Sequence, residues 1–228
     1  MSAILIGCAH GTRSAQGQET VRTILQQVRE AMEIDVREAF VDVQEPTIDD
    51  VVAAIPASER AAAVVVPLLL GGGYHVHVDI ARAVKDRLDI VAAPALGPDS
   101  RLIDIVLDRV RQAGVPDDAT LVLAAAGSSD PRSQADTDAA AEMLRSRWEG
   151  PVRIGFAAGP KPSVAEAVAS ARENGEDGIV AVASYLLSPG LFQNRLAEAG
   201  ADYVSAPLAP HPILLEIIAD RFDDALSL

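Results

Sequence analysis

Short apolar runs alternate along this chain with longer segments whose apolar residues recur three and four positions apart. The first run, Ala3 to Ala9, predicts a strand, and Gly17 to Met32 predicts an amphipathic helix. Further strands are predicted at 36–41, 61–70 and 90–93. Further helices are predicted from Pro46, from the end of the glycine turn at 71–73 to about Leu88, and from Asp99 to about Ala113. Because residues 61–70 are apolar throughout, as in strands covered on both faces, we expect a parallel sheet.

The pattern restarts after a polar, turn-rich segment at residues 113–118. An offset of 116 positions, 120 minus 4, aligns Ile4–Arg13 with Thr120–Ser129. The same offset aligns other like residues: Gly11 with Gly127, Phe40 with Phe156, Pro46 with Pro162, and Ile80 with Leu196. We therefore predict an α/β protein of two pseudo-symmetric halves, residues 1–115 and 116–228, each a small parallel sheet flanked by helices.

Polar residues follow three predicted strands of the first half, and their counterparts in the second half are apolar. The pairs are His10 with Ala126, Asp42 with Ala158, and His75 with Leu191. A group needed to hold the fold should be present in both halves. We therefore predict that the first half carries a functional site at the carboxyl ends of its strands and that the second half lacks it.

Two imidazoles and a carboxylate on converging loops suit a divalent first-row metal ion, and an incomplete ligand shell leaves room for substrate. The imidazoles can also accept protons near neutral pH. His77 is a further candidate ligand, although it diverges from His75 if a helix has already begun there. Asp42 has the alternative role of capping the turn that follows it, and each histidine has the alternative of a hydrogen-bonded structural residue.

Composition narrows the function classes. The chain is 49% hydrophobic and 4% aromatic, which indicates a packed core. No apolar run reaches the length of a membrane span and no secretory signal is visible, so we expect a cytoplasmic protein without membrane contact. The net charge of −14, without a basic stripe, argues against nucleic acid. Cys8 is the single cysteine, which excludes an internal disulfide and a cysteine-based zinc cluster, and we expect it to be buried.

Two other functions fit the sequence less well, nucleotide binding and phosphotransfer through a histidine. A nucleotide site is not indicated, because the glycines at 71–73 are not followed by the Lys-Ser/Thr pair of a phosphate-binding loop and no Gly-x-Gly-x-x-Gly follows the first strand. His10-Gly11-Thr12 is similar to the start of a histidine phosphatase site, but Ala9 stands where those enzymes have arginine.

The motifs carry a family resemblance. Residues 9–13 (Ala-His-Gly-Thr-Arg), 39–42 (Ala-Phe-Val-Asp), and 67–70 (Pro-Leu-Leu-Leu) with Gly73-Tyr74-His75-Val76 resemble the sirohydrochlorin chelatases, often called CbiX. Residues 125–132 and 184–192 resemble the partner half of the two-domain members. The resemblance implies a class II chelatase fold, two α/β halves around a cleft, and insertion of a divalent metal, Fe²⁺ or Co²⁺, into sirohydrochlorin for sirohaem or cobalamin synthesis.

By the same resemblance His10 and His75 are metal-binding and catalytic, and Asp42 occupies a position where many members have glutamate. The imidazoles would hold the ion at one face of the macrocycle and help to remove pyrrole protons. The metal is then a substrate, and no organic cofactor is required.

The remaining expectations concern substrate and assembly. Five arginines are candidates to pair with the acidic side chains of the tetrapyrrole: Arg13, Arg82, Arg101, Arg132 and Arg195. Tyr74 and Tyr185 are candidate substrate contacts, with core packing as their alternative. A chain that contains both halves is expected to work as a monomer. The competing function is a carrier that binds metal or tetrapyrrole without turnover.

Overall fold

Strands and helices alternate along the chain in the computed structural model, which describes residues 3–58, 62–73, 75–173 and 178–227, without the side chains of 75–77. The elements are β1 (Ile4–Ala9), α1 (Ala15–Met32), β2 (Val36–Phe40), α2 (Ile48–Ala53), β3 (Ala63–Pro67), a π-helical segment (His75–Ile80) leading into α3 (Ala81–Val84), β4 (Ile90–Ala92), α4 (Ser100–Gln112), β5 (Thr120–Ala125), α5 (Pro131–Arg145), β6 (Val152–Phe156), α6 (Val164–Glu173), β7 (Val180–Tyr185), α7 (Leu191–Ala197), β8 (Tyr203–Val204) and α8 (Pro212–Leu226).

The strands form two four-stranded sheets, in the orders β2-β1-β3-β4 and β6-β5-β7-β8. Every pairing is parallel. The inner strands β3 and β7 are buried along their whole length. The sequence of β3 is apolar throughout, as expected of a strand covered on both faces, whereas β7 also buries Ser184. The prediction of an α/β protein with one parallel sheet in each half is confirmed.

Local sequence explains where the helices begin. The Ser14 side chain accepts a hydrogen bond from the Gly17 N–H and caps α1, whose buried stripe includes Val21, Ile24 and Val28. Thr47 and Asp50 form a reciprocal capping box at the start of α2. None of the helices in the described part of the chain is long and apolar enough to cross a membrane.

The repeat predicted from sequence extends to individual contacts. Ser163 and Glu166, 116 positions after Thr47 and Asp50, make the same pair of capping bonds at α6. Arg29 donates to the Val36 carbonyl at 2.6 Å, and its counterpart Arg145 donates to the Val152 carbonyl at 3.2 Å. An arginine therefore satisfies the first carbonyl of the edge strand in each half.

The compact units are not consecutive in sequence. One contains residues 1–96 and 209–228, and the other contains residues 97–208. Helix α8 packs against β3 and α1 in the first unit, whereas α4 packs against β7 and α5 in the second. The predicted halves were 1–115 and 116–228. Compared with them, α4 belongs to the unit of the second sheet and α8 to the unit of the first sheet, so the two units exchange the helix that follows their fourth strand. An apolar stripe predicts that a helix is buried, but it does not say against which sheet.

The exchanged helices are anchored in the same way. Arg221 of α8 donates to the carbonyls of Ala95 and Leu96, both at 3.0 Å. Arg109 of α4 donates to the carbonyl of Leu208 at 3.1 Å. In each unit, an arginine of this helix thus donates to backbone carbonyls of the last residues before the chain passes into the other unit.

Most predicted element boundaries lie within two residues of those observed, for example α2, which begins at Ile48 and not at Pro46. The differences at β3 and α3 are larger. Strand β3 spans Ala63–Pro67 and not the predicted residues 61–70, of which Ala61 lies outside the described residues. Helix α3 ends at Val84, and Leu88 is fully exposed. Apolar residues beyond Pro67 belong to the turn that leads out of the sheet, and apolar content alone does not mark that end.

Candidate active site

The first candidate residue, His10, follows β1 directly and is exposed. Its Nδ1 lies 3.3 Å from the Gly11 carbonyl oxygen, so the tautomer that satisfies this contact carries its proton on Nδ1. Ligating histidines in metal sites usually donate one ring N–H to a carbonyl and present the other nitrogen to the ion. The contact is of the kind that a ligating histidine makes, and the predicted ligand role of His10 stays a prediction.

Asp42 follows β2 and is bound to the His10 loop through the backbone. The Asp42 N–H donates to the His10 carbonyl at 3.1 Å. Oδ1 of Asp42 accepts a bond from the Val43 N–H at 2.7 Å, which is the turn-capping role that the sequence left open. The other oxygen, Oδ2, has no hydrogen-bond donor among the side chains and backbone that the structure describes. One carboxylate oxygen thus holds the turn and the second is available to a ligand.

Gly11 makes the close approach of these two loops possible. Its φ is +96°, and a Cβ at this position would lie 2.1 Å from the Asp42 carbonyl oxygen. Both the backbone conformation and the space therefore require glycine. Gly127 has the same role in the second half, with φ +92° and a Cβ position 1.9 Å from the Ala158 oxygen.

The third candidate, His75, begins the π-helical segment that follows β3. Since β2, β1 and β3 are adjacent and parallel, the residues after all three lie at one edge of the sheet. A helix has begun at His75, the case in which His77 is expected to diverge from it. Tyr74 and the side chains of His75 and His77 lie outside the described residues, so the predicted ligand roles of these three stay predictions.

Among the described side chains, no group of three or more His, Cys, Asp or Glu residues lies close enough to hold a metal ion. The predicted set contains two described members, His10 and Asp42, and the third is His75. The structure thus joins the loops of His10 and Asp42, and His75 begins the helical segment that follows the neighbouring strand β3.

The second half repeats this backbone without the polar groups. The Ala158 N–H donates to the Ala126 carbonyl at 3.0 Å, which is the counterpart of the bond between Asp42 and His10. Leu191, the counterpart of His75, begins α7 and is 64% exposed. The loops therefore fold without imidazole or carboxylate, as the sequence comparison predicted.

Cys8 is not a ligand or nucleophile in this structure. It is fully buried in β1. Burial raises the pKa of the Cys8 thiol to about 12, and the charge of Asp79 contributes in the same direction. The thiol therefore stays protonated at neutral pH and packs as a small apolar group, as predicted.

The five candidate arginines separate into two groups. Four have partners within the protein: Arg82 with Asp49, Arg101 with Asp99, Arg132 with Asp130, and Arg195 with the Ala157 carbonyl and the face of Phe192. Arg13 is exposed, lies three residues after His10, and has no partner in the described part of the chain. Its predicted contact with a substrate carboxylate stays a prediction.

Tyr185 lies at the end of β7 and is 3% exposed. Burial raises the pKa of its phenol above the usual range, and the charges of Asp136 and Asp99 add to the shift. The buried position of Tyr185 fits its alternative role, packing in the core. Its predicted contact with substrate stays a prediction.

Gln44 was not predicted as a site residue. Its Oε1 accepts a bond from the Thr12 N–H at 2.7 Å, which ties the loop after β2 to the loop after β1. The signal was present in the repeat, because the offset of 116 aligns Gln44 with Pro160, whose side chain cannot accept a hydrogen bond.

Comparison with known proteins decides the family. The CbiX family model matches residues 4–113 and 120–225, which is nearly the whole chain. The chain belongs to the CbiX family. The predicted resemblance is thereby confirmed, and the two matched segments meet at the turn-rich segment where the repeat restarts.

Similar proteins agree with this membership. A sirohydrochlorin ferrochelatase of Priestia megaterium is 24% identical over 208 residues, 87% of this chain and 77% of the relative. A sirohydrochlorin cobaltochelatase of Sulfolobus acidocaldarius is 32% identical over 109 residues, 46% of this chain and 86% of the relative. The structure of SirB from Bacillus subtilis with Fe³⁺ covers the full chain with a TM-score of 0.80 at 23% identity, and 96% of that structure is covered. The CbiX fold therefore extends over both units.

Proposed function

We propose that this CbiX protein inserts a divalent metal ion, Fe²⁺ or Co²⁺, into sirohydrochlorin. The observation that carries the proposal is the joined pair of loops bearing His10 and Asp42, present in one half and replaced by Ala126 and Ala158 in the other. In a chain that the CbiX model matches over residues 4–113 and 120–225, this asymmetry supports placing the site in the first half.

The reaction exchanges a metal ion for two protons. Sirohydrochlorin loses two pyrrole N–H protons as its four nitrogens replace the ligands of M²⁺, so charge and atoms balance without an oxidant or organic cofactor. His10 presents Nε2 to the incoming ion, and Asp42 Oδ2 contributes negative charge at the same edge. His75 is proposed as the second imidazole. A neutral imidazole can act as a general base, so these histidines also suit proton removal.

Both metals are kept in the proposal. The relatives above include a ferrochelatase and a cobaltochelatase. Imidazole and carboxylate bind either ion, and ligand type alone does not separate them.

Arg13 is proposed to pair with a substrate carboxylate, with Tyr74 and Tyr185 as further substrate contacts. We also propose that the protein acts in the cytoplasm as a monomer. We propose further that it does not bind nucleic acid, and its net charge of −14 supports this.

An anaerobic insertion assay tests the function. Sirohydrochlorin absorbance is followed after addition of Fe²⁺ or Co²⁺ to the intact protein, His10→Ala and His75→Ala, with Ala126→His as a control in the second half. We expect the intact protein and the control to accelerate insertion well above the spontaneous rate and both alanine variants to lose most of that gain. Binding of metal or tetrapyrrole by the intact protein without acceleration would instead establish the carrier function.

A further inference from the structure

Gln44 makes two bonds that connect the candidate metal site. Its side-chain Oε1 accepts from the Thr12 N–H at 2.7 Å, across 32 residues of sequence. Its own backbone N–H donates to the Asp42 carbonyl at 2.7 Å and closes a γ-turn around Val43. One residue thus holds the turn that carries Asp42 and fastens it to the loop that carries His10.

This turn is strained. Val43 has a φ of +66°, in the left-handed region that a β-branched residue rarely occupies. Its counterpart is Gly159, with a φ of +75°, a residue that adopts this conformation without strain. The first half therefore keeps a conformation that its own sequence disfavours.

The second half shows that the fold does not need either Gln44 bond. The counterpart of Gln44 is Pro160, which has no backbone N–H and no side-chain acceptor. By contrast, the bond from Gln18 to the Thr12 carbonyl at 2.8 Å recurs as the bond from Gln134 to the Ser128 carbonyl at 3.3 Å. Contacts that support the loop itself are repeated, whereas those of Gln44 occur in the half that has the site.

We infer that Gln44 is a positioning residue, which holds the Asp42 carboxylate in register with His10 for metal binding. The inference rests on the proposed function in that the ion is the substrate of this site. Residues that orient metal ligands typically change metal affinity by about 10- to 100-fold when they are replaced. Gln44 acts through the two loops and does not itself need to touch the ion.

Four variants separate positioning from folding. Gln44→Met removes the acceptor at similar size, and Gln44→Glu keeps an acceptor for the Thr12 N–H. Val43→Gly with Gln44→Pro copies residues 159–160, a pair with which the second half already folds. Gln134→Met is the matched control, because it removes a glutamine bond to the equivalent loop of the half without the site.

The measurements are a titration with Co²⁺ alone, followed by its visible absorption, and the kcat and KM for Co²⁺ in the insertion assay. We expect Gln44→Met and the double variant to raise the Kd and KM for Co²⁺ about tenfold, with kcat within about threefold, as expected for an orienting residue. Gln44→Glu and Gln134→Met should stay within about threefold. The thermal midpoint of the double variant should not fall, because the strained Val43 conformation is removed.

The inference is overturned if the Co²⁺ Kd of folded Gln44→Met or of the double variant equals that of the intact protein, or if Gln134→Met raises it equally. Its failure is distinct from that of the proposed function. An intact protein that inserts metal while all four variants bind Co²⁺ normally refutes the role of Gln44 alone. An intact protein that binds Co²⁺ without insertion refutes the enzyme, and the Kd comparison still decides the role of Gln44.

Discussion

The backbone at Gly11 passes so close to Asp42 that a methyl group on Gly11 would lie 2.1 Å from the Asp42 carbonyl oxygen. The obstacle is backbone and cannot rotate away, and the φ of +96° is strained for any other residue. The loops that bear His10 and Asp42 are therefore brought together by the absence of a side chain.

We expect Gly11→Ala to lower the free energy of unfolding by about 2 to 4 kcal/mol, because it combines a left-handed alanine with a backbone overlap. Gly127→Ala should have a similar effect, since its Cβ would lie 1.9 Å from the Ala158 oxygen. Urea denaturation measures both. Gly114→Ala is the control, because that glycine also has a positive φ but has nothing within 4 Å of its Cβ position. A loss at Gly11 no larger than at Gly114 would show that the backbone contact is unimportant.

Much of this arrangement was predictable from sequence. The offset of 116 identified the repeat, and the residues after β1 and β2 were predicted as neighbours because they end parallel strands. Gln44 was not found, because its bond to Thr12 depends on a turn around Val43 whose positive φ a valine does not suggest. The exchange of α4 and α8 was also invisible, since their apolar stripes are equally suited to either sheet.

Glu38 on β2 has a carboxylate oxygen that is buried without a hydrogen-bond partner within the described residues. It lines a surface cavity of about 400 Å³ together with Glu19, Arg22 and Gln26. Burial raises the pKa of the Glu38 carboxyl, and the charge of Arg22 offsets part of that shift. The counterpart in the second half is Ile154, so the fold accepts an apolar side chain here.

The sign of the pH effect follows from the raised pKa. Between the unfolded pKa, about 4.3, and the higher folded value, the folded protein binds more protons than the unfolded chain, so the contribution of Glu38 to stability falls as pH rises. We therefore expect Glu38→Gln and Glu38→Ile to raise the thermal midpoint at pH 7 and to have a smaller effect near pH 4. Scanning calorimetry at the two pH values measures this. A gain that is larger at pH 4 would contradict the assignment.

The N-caps of α4 and α8 differ although the helices are counterparts, 112 positions apart, 211 minus 99. Asp99 accepts a bond from the Arg101 N–H at 3.0 Å, whereas Nδ1 of His211 accepts from the Ile213 N–H at 3.3 Å. Aspartate is the better cap because its charge also suits a helix N-terminus. We expect His211→Asp to stabilise the protein by about 0.5 to 1 kcal/mol at pH 7 in urea denaturation. The converse change, Asp99→His, should destabilise it, and an unchanged midpoint in both variants would show that these caps contribute nothing.

Arg13 differs from the other candidate arginines in having no partner within the described structure, so its removal should leave the fold intact. We expect Arg13→Ala to raise the KM for sirohydrochlorin about tenfold, because a charge-assisted hydrogen bond typically contributes about 1.5 to 3 kcal/mol. The Kd for Co²⁺ alone should not change, which separates a substrate contact from a metal ligand.

Arg132→Ala is the matched control, since Arg132 lies after the equivalent strand but is paired with Asp130 at 2.7 Å. If Arg13→Ala and Arg132→Ala leave the KM equally unaffected, another cation binds the substrate carboxylates. If Arg13→Ala alone raises the KM, the loop after β1 binds both reactants, with the ion at His10 and the tetrapyrrole side chain three residues further along.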